Sequence, residues 1–352
     1  MTDSIRAWQA SYLQMAVHGI RSEAVAQKIA LHLGRFADQF ELVYGHDRIS
    51  VWVQRDVRRW QQALQEQGLA ASTINNHLAS LSGFASWVQV QSPQTFTMSD
   101  PTKGIGDLPL PALEPRALTE NQVATLKNLC DRLDSFYRVK GRAWRKQLSP
   151  EERLPLRSKA RPKRDKAIVL VLLSTGLRRE ELVQLTLGQL TPQSAESLRQ
   201  ARHAKLERVK GKGKTERQVF LSADARQALA DYLEEERPVD VNTALAIEKQ
   251  PIFLSAANVK PRQADGRLSP RSINLILEQI GRWHDAEMRD TDRHISPLRP
   301  HDLRHTFAFQ LAKVTGADAY ELERRLGHRS QRYIQRYTNP PEEVAAEFVE
   351  SF

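Results

Sequence analysis

Apolar positions recur at helical spacing almost from the start of the chain. Residues 23–44 carry them every three or four places, and a second segment starts near Ser50 and runs through Val53, Val57, Trp60 and Leu64. A third follows Ser72, read as its N-cap, with Ile74, Leu78, Leu81, Ala85 and Val88 on one stripe. Four or so amphipathic helices in about ninety residues predict a small bundle with no chemistry of its own. Arg55, Arg58, Arg59, Asn75, Asn76 and His77 are placed opposite the apolar stripes, as a solvated face of which part can follow a phosphate backbone.

Between Gln91 and Leu118 the periodicity stops. Pro93, Pro101, Gly104, Gly106, Pro109, Pro111 and Pro115 punctuate a stretch with little core material, which is the chemistry of a stiffened linker. The expected organisation is a helical domain over 1–92, a proline-rich linker over 93–117 and a second domain over 118–352.

In that second part Thr119 caps a helix predicted from Glu120 to about Tyr137. The apolar run Ala167–Leu173 predicts a buried helix ending at Ser174-Thr-Gly176, where glycine can turn left-handed, and a new helix covers Leu177–Leu185. Arg178 therefore falls at a tight helix–helix junction near a helix N-terminus, a good anion position. Leu206–Lys210 and Arg217–Leu221 alternate in polarity around Gly211-Lys-Gly-Lys-Thr-Glu216, so they predict a β-hairpin with Lys212 at its tip. Its glycines lack the GxxxxGK[ST] spacing and no strand-to-helix turn surrounds them, so ATP binding is rejected. Helices follow from Ser222 to about Glu236, from Ser269-Pro270 to about Trp283, and around His301 and Arg304, with Leu303, Phe307 and Leu311 as the core face of the last. Pro251–Leu254 reads as a short strand or turn. Residues 340–352 form a final amphipathic pattern with Val344, Phe348, Val349 and Phe352 on one side, suited to its own domain or to a neighbouring subunit. The fold class expected is mainly α with a small antiparallel β-sheet.

Composition narrows the partners. The chain has 352 residues, 40% hydrophobic and 27% charged, with a formal net charge of +10, a balance that favours a polyanion. Cys130 is the only cysteine, so no intrachain disulfide and no thiolate metal site is expected. With no apolar leader, and Ala167–Leu173 far too short for a bilayer, the expectation is a cytoplasmic protein without a membrane partner. Between Arg138 and Lys166, twelve Lys or Arg face three acids, with Trp144 among them. Arg145, Lys146, Lys163 and Arg164 are candidates there for the DNA backbone, a flexible solvated loop being the equal alternative.

The candidate chemistry lies in Arg178, Lys212, His301, Arg304, His328 and Tyr337. Two arginines can grip the nonbridging oxygens of a phosphodiester and neutralise charge in a pentacoordinate transition state. A tyrosine hydroxyl becomes a nucleophile if a base such as His301 takes its proton. A lysine on a hairpin can protonate the leaving 5′-oxygen, and His328 can donate to the phosphate. No metal and no nucleotide cofactor are needed. Tyr333 is a rival to Tyr337 and Lys214 to Lys212; register favours Tyr337 and Lys212 in each case, leaving Lys214 as a DNA contact. Glu181 and Asp302 read as buried orienters of the arginines and His305 as an interior helix residue.

These motifs resemble those of the tyrosine recombinase (phage integrase) family. Thr175-Gly-Leu-Arg-Arg-Glu-Glu-Leu182 is similar to its first arginine box, Gly211-Lys-Gly-Lys-Thr-Glu-Arg217 to its lysine hairpin, and His301-Asp-Leu-Arg-His-Thr-Phe-Ala308 to its second box. Leu326-Gly-His-Arg-Ser330 and Tyr337 match its histidine and nucleophile. The resemblance implies a SAM-like N-terminal core-binding domain and a recombinase catalytic domain. It also implies a 3′-phosphotyrosine intermediate and a homotetramer on double-stranded DNA that exchanges the helix 341–352 between neighbours. The basic segment looks like an insertion relative to compact members, and no extra arm-binding domain is expected at the N-terminus. The insertion points to a mobile-element integrase or transposase. An inert DNA-binding protein on the same fold and a type IB topoisomerase are the alternatives.

Overall fold

The computed structural model describes residues 3–110, 116–137, 160–211, 215–241 and 244–327. The chain divides into two compact units, Met1–Glu114 and Pro115–Phe352.

The first unit is helical: α1 (Ile5–Tyr12), α2 (Glu23–Tyr44), α3 (Gln54–Glu66) and α4 (Ala71–Gln91). The sequence places three of the four or so expected helices; the fourth is α1, which Ser4 caps by accepting the Ala7 N–H, with Ile5 and Trp8 on its buried face. Gly45, at φ 67°, ends α2 in the left-handed turn that only glycine makes without cost. The residue at the N-cap of α4 is Ala70, not Ser72, which falls inside the first turn. The four helices close on an aromatic core in which Trp52, Phe36 and Phe84 are fully buried, each contributing roughly 1.5–3 kcal/mol by leaving water.

Much of the expected linker packs on this unit. Phe96 sits edge-on against Trp52 with ring centroids 5.5 Å apart. Gln54 donates to the Lys103 carbonyl at 2.6 Å, and Asn75 clasps the Leu108 backbone through bonds of 2.9 and 2.8 Å. A buried ring and satisfied backbone groups hold this proline-rich stretch in place without any helix.

The second unit is built around α6 (Pro162–Thr175), whose residues 167–173 are all buried. A helix apolar on every side belongs in the middle of a core. Around it pack α5 (Glu120–Asp131), α7 (Arg179–Gln184), α8 (Ala195–Gln200), α9 (Ala223–Glu235), the short α10 (Arg237–Asp240), α11 (Pro270–Asp285), α12 (Pro300–Thr315) and α13 (Ala319–Leu326). Thr119 caps α5 in a capping box with Gln122; the helix expected as far as Tyr137 is interrupted at Arg132, and residues 133–137 are helical again beyond that turn. The sheet is β1 (Leu190–Thr191), β2 (Ala204–Lys210) and β3 (Glu216–Leu221), antiparallel in that order. Strands β2 and β3 are the expected hairpin, and β1 is too short to show periodicity. The protein is thus mostly helical with a small antiparallel sheet. Among the described residues, no helix is long and apolar enough to cross a membrane.

The four described cations of the basic segment are all tied down within the fold. Arg161 pairs with Asp240 through two bonds of 2.6 Å, Lys163 with Glu235 at 2.5 Å, Arg164 with Asp165 at 2.8 Å, and Lys166 with Asp131 at 2.7 Å. They anchor the first turns of α6, so neither a solvated loop nor a free DNA-facing run describes them. Residues 138–159, with Trp144, Arg145 and Lys146, lie outside the described residues.

Candidate active site

Arg178 stands at the N-cap of α7, two residues after the left-handed Gly176 (φ 60°) that ends α6. Glu181, one turn on, accepts the Arg178 backbone N–H at 2.8 Å and its Nη1 at 2.9 Å. This reciprocal cap fixes backbone and side chain together, and Glu181 is the orienter its sequence position suggests. Burial works to raise the Glu181 carboxyl, but hydrogen bonds and charge from Arg217, then Arg178, hold it below its ordinary value, so it stays ionised.

Arg304 comes from the first turns of α12 and is 2% exposed. Its Nη1 donates to the Gly176 carbonyl at 2.5 Å and its Nη2 to the Leu326 carbonyl at 2.7 Å. Both acceptors are neutral, so they fix the guanidinium without cancelling its charge. Arg178 Nη2 reaches the Gly327 carbonyl at 3.5 Å. Two arginines more than a hundred residues apart thus meet at one helix end, the C-terminus of α13, where carbonyls attract cations. His328 is the next residue in the chain.

His301 sits three residues before Arg304 on α12, open to solvent on one side. Partial burial first, then the charges of Arg304 and Arg178, push its imidazole below the ordinary histidine value. At neutral pH it is an uncharged ring able to accept a proton. Asp302 departs from expectation. It accepts the Arg299 N–H at 2.8 Å and caps its own helix, orienting neither arginine. His305 is half-buried, its ring 6.1 Å from that of His301.

The structure therefore brings Arg178, His301 and Arg304 together. Lys212, Lys214, His328, Tyr333, Tyr337 and the helix expected over 341–352 lie outside the described residues. The flanks of the lysine turn are described: the Gly211 N–H donates to the Thr215 carbonyl at 2.7 Å, closing the hairpin.

The sequence points to no role for Arg217. It grips Glu181 through two bonds, Nη1–Oε1 at 2.9 Å and Nη2–Oε2 at 2.6 Å, while its Nε donates to the Arg325 carbonyl at 2.9 Å. The available signal was alternation, since Arg217 shares a strand face with the buried Val219 and Leu221. An inward arginine demands a carboxylate. Beside it, a cleft of about 540 Å³ opens between β3 and α13, with Arg325 stacked over Phe220 at 5.1 Å.

The candidate DNA contacts separate. Arg58, Arg59 and Asn76 are exposed. His77 is 1% exposed and stacked on His32 at 3.9 Å; its place on the buried stripe of α4 corrects the expectation that it faces outward. Asn75 is committed to Leu108, and Arg164 is buried against Asp165 and the Leu254 carbonyl at 3.0 Å. None of these three side chains is available to a duplex.

A model of the phage integrase family matches residues 151–343, more than half of the chain. The chain belongs to the phage integrase family. This tyrosine site-specific recombinase is 26% identical over 273 residues to tyrosine recombinase XerC of Thermodesulfovibrio yellowstonii, covering 78% of this chain and 73% of that one. It is 31% identical over 242 residues to tyrosine recombinase XerD of Xanthomonas campestris pv. campestris, covering 68% and 59%. Among solved structures, the fold of this recombinase matches the Tn1549 transposon integrase in complex with a circular intermediate DNA, with a TM-score of 0.66, 17% identity and full coverage of both chains. It also matches XerH site-specific recombinase bound to a palindromic difH substrate, with a TM-score of 0.64, 18% identity and coverage of 93% and 79%.

Proposed function

We propose that this integrase-family protein cleaves and rejoins DNA strands through a covalent 3′-phosphotyrosine. The observation that carries the reading is the convergence of Arg178 and Arg304 on the carbonyls of residues 326 and 327, directly before His328. Two guanidiniums fixed by acceptors and carboxylate are preorganised for the charge that grows on a pentacoordinate phosphate, and preorganised charge is usually the largest catalytic term.

In the proposed step the Tyr337 hydroxyl oxygen attacks phosphorus and its proton passes to His301. The bond from phosphorus to the 5′-oxygen breaks, and Lys212 gives that oxygen a proton. Arg178, Arg304 and His328 hold the nonbridging oxygens. The freed 5′-hydroxyl of a partner strand then reverses the step, so the bond energy is kept in the phosphotyrosine. None of this chemistry draws on a metal or a nucleotide.

The biological setting we propose is integration or transposition of a mobile element. The support is the basic segment 138–166, which lengthens the chain ahead of the arginine box. Four protomers on two DNA sites, with the helix 341–352 passed between neighbours, complete the proposal. Arg58, Arg59 and Asn76 are the exposed candidates for the duplex backbone, and such contacts make binding steeply salt-dependent.

The test is a duplex recovered by selection from a randomised pool on the full-length protein, placed in two plasmids of different size. Joined plasmids support the reading. Relaxation of plasmids lacking the duplex would replace it with a topoisomerase, and binding without strand exchange with an inert binder.

A further inference from the structure

We propose that Arg217 is a positioning residue for phosphate activation, acting on Arg178 through the carboxylate of Glu181. The inference rests on the reading of Arg178 as a phosphate ligand and adds to it the group that keeps Arg178 aligned and leaves the cluster with a net positive charge.

The geometry is a carboxylate shared by two arginines. Glu181 Oε1 accepts from Arg178 Nη1 and Arg217 Nη1, both at 2.9 Å, and Oε2 accepts from the Arg178 backbone N–H at 2.8 Å and Arg217 Nη2 at 2.6 Å. Arg217 and Glu181 side chains are 8% and 4% exposed, against 24% for Arg178. The buried arginine therefore makes the bidentate pair, the geometry that binds carboxylate best, and the more open one keeps the weaker share. The charges consequently do not cancel pairwise. Two guanidiniums and one carboxylate leave one net positive charge, on the side of the cluster where Arg178 is open.

A lone Glu181–Arg178 pair would be neutral, with the carboxylate free to rotate into a bidentate grip and draw the guanidinium away from a phosphate. Arg217 prevents that by occupying both oxygens. Its Nε also donates to the Arg325 carbonyl at 2.9 Å, and a Cβ on Gly327 would lie 3.2 Å from its Nη1. The same side chain thus joins β3, α7 and the end of α13, so Arg178 and the residues leading into His328 share one anchor.

The experiment follows covalent adduct formation on the selected duplex, nicked beside the cleavage position to trap the product. Three versions are prepared: the ordinary phosphodiester, a methylphosphonate in which one charged nonbridging oxygen becomes a methyl group, and a phosphorothiolate with sulfur as the 5′ leaving atom. Arg217→Met is expected to slow adduct formation about 10–100-fold on the phosphodiester, the range known for losing the hydrogen-bond partner behind a metal ligand, which holds its ligand in the same way. On the methylphosphonate, where little charge awaits Arg178, the deficit should shrink to within about twofold, the usual scatter between independent sites. On the phosphorothiolate, which needs no acid at the leaving atom, the deficit should remain in full. The double variant Arg178→Met with Arg217→Met should be no slower than Arg178→Met alone, and Arg217→Lys should recover part of the rate.

Comparing substrates within one variant cancels any loss of folded protein. Equal deficits on all three substrates, or multiplied losses in the double variant, would overturn the proposal in favour of a purely structural role. Rescue by sulfur would overturn it in favour of an effect on Lys212. Failure of the wild-type protein to form any adduct is a different result and would remove the functional reading itself.

Discussion

Arg304 on α12 donates to the carbonyl of Gly176 at 2.5 Å, across 128 residues of sequence. The acceptor is held by a glycine at φ 60° whose added Cβ would lie 2.4 Å from Phe307 Cδ1. Backbone and ring therefore both require glycine where the first arginine box begins. Gly176→Ala should cost roughly 1–2 kcal/mol for the left-handed residue and a further 1–3 kcal/mol or so for overpacking. Denaturant unfolding measures that loss. Adding Phe307→Ala should recover the packing part only, leaving Arg304 with a displaced acceptor and adduct formation still slow.

The protonation state of His301 sets a second expectation. Burial, then Arg304 and Arg178, lower its value from the ordinary 6.5, while Glu180 works in the opposite direction. A base must be neutral to act, so the acid limb of the rate profile should fall below pH 6.5. Removing a nearby positive charge, as in Arg178→Gln, should move the limb upward; removing a negative one, as in Glu180→Gln, should move it down. Single-turnover rates across the acid range decide this, and a limb unmoved by both substitutions would dissociate it from His301.

His77 and His32 make the first unit sensitive to acid. Burial, then the neighbouring His32 and the charges of Arg35 and Lys28, lower His77 to about 4, and burial also lowers His32. Between that value and 6.5 the unfolded chain binds more protons, so stability is full above pH 6.5 and is lost as pH falls through that window. The loss from His77 is bounded by roughly 3–4 kcal/mol. Unfolding followed by tryptophan fluorescence should show it, because Trp60 lies edge-on to the His77 ring at 5.8 Å. His32→Gln with His77→Gln should flatten the dependence.

The same pair marks where the sequence was legible and where it was not. Helical spacing located α2, alternation the hairpin and a continuous apolar run the buried α6, because each is a local signal. His77 lies one residue before Leu78 on such a stripe, so its burial was readable; its polarity drew it outward. Asn75 and Arg164 could not be read, since their partners Leu108 and Leu254 lie 33 and 90 residues away. Arg178 and Arg304 were legible as motif residues, but Arg217 became visible only when Glu181 supplied the carboxylate its inward register requires.

Arg161 and Asp240 provide a test of the anchor ahead of α6. Asp240 is wholly buried and Arg161 nearly so, joined by two bonds of 2.6 Å. Asp240→Ala removes the carboxylate that faces a buried guanidinium and should cost about 3–5 kcal/mol. The reverse change, Arg161→Met, should cost a similar amount. Together they should cost less than the sum of the single changes, as a double-mutant cycle on unfolding would show.

The central claim is that one tyrosine becomes covalently joined to DNA. The direct measurement incubates full-length protein with the nicked, selected duplex and resolves the products under denaturing conditions. The wild-type protein and Tyr333→Phe should both yield a protein–DNA adduct attached through a 3′-phosphate, and Tyr337→Phe should yield none. An adduct that survives Tyr337→Phe, or one that wild-type protein never forms, would contradict the account.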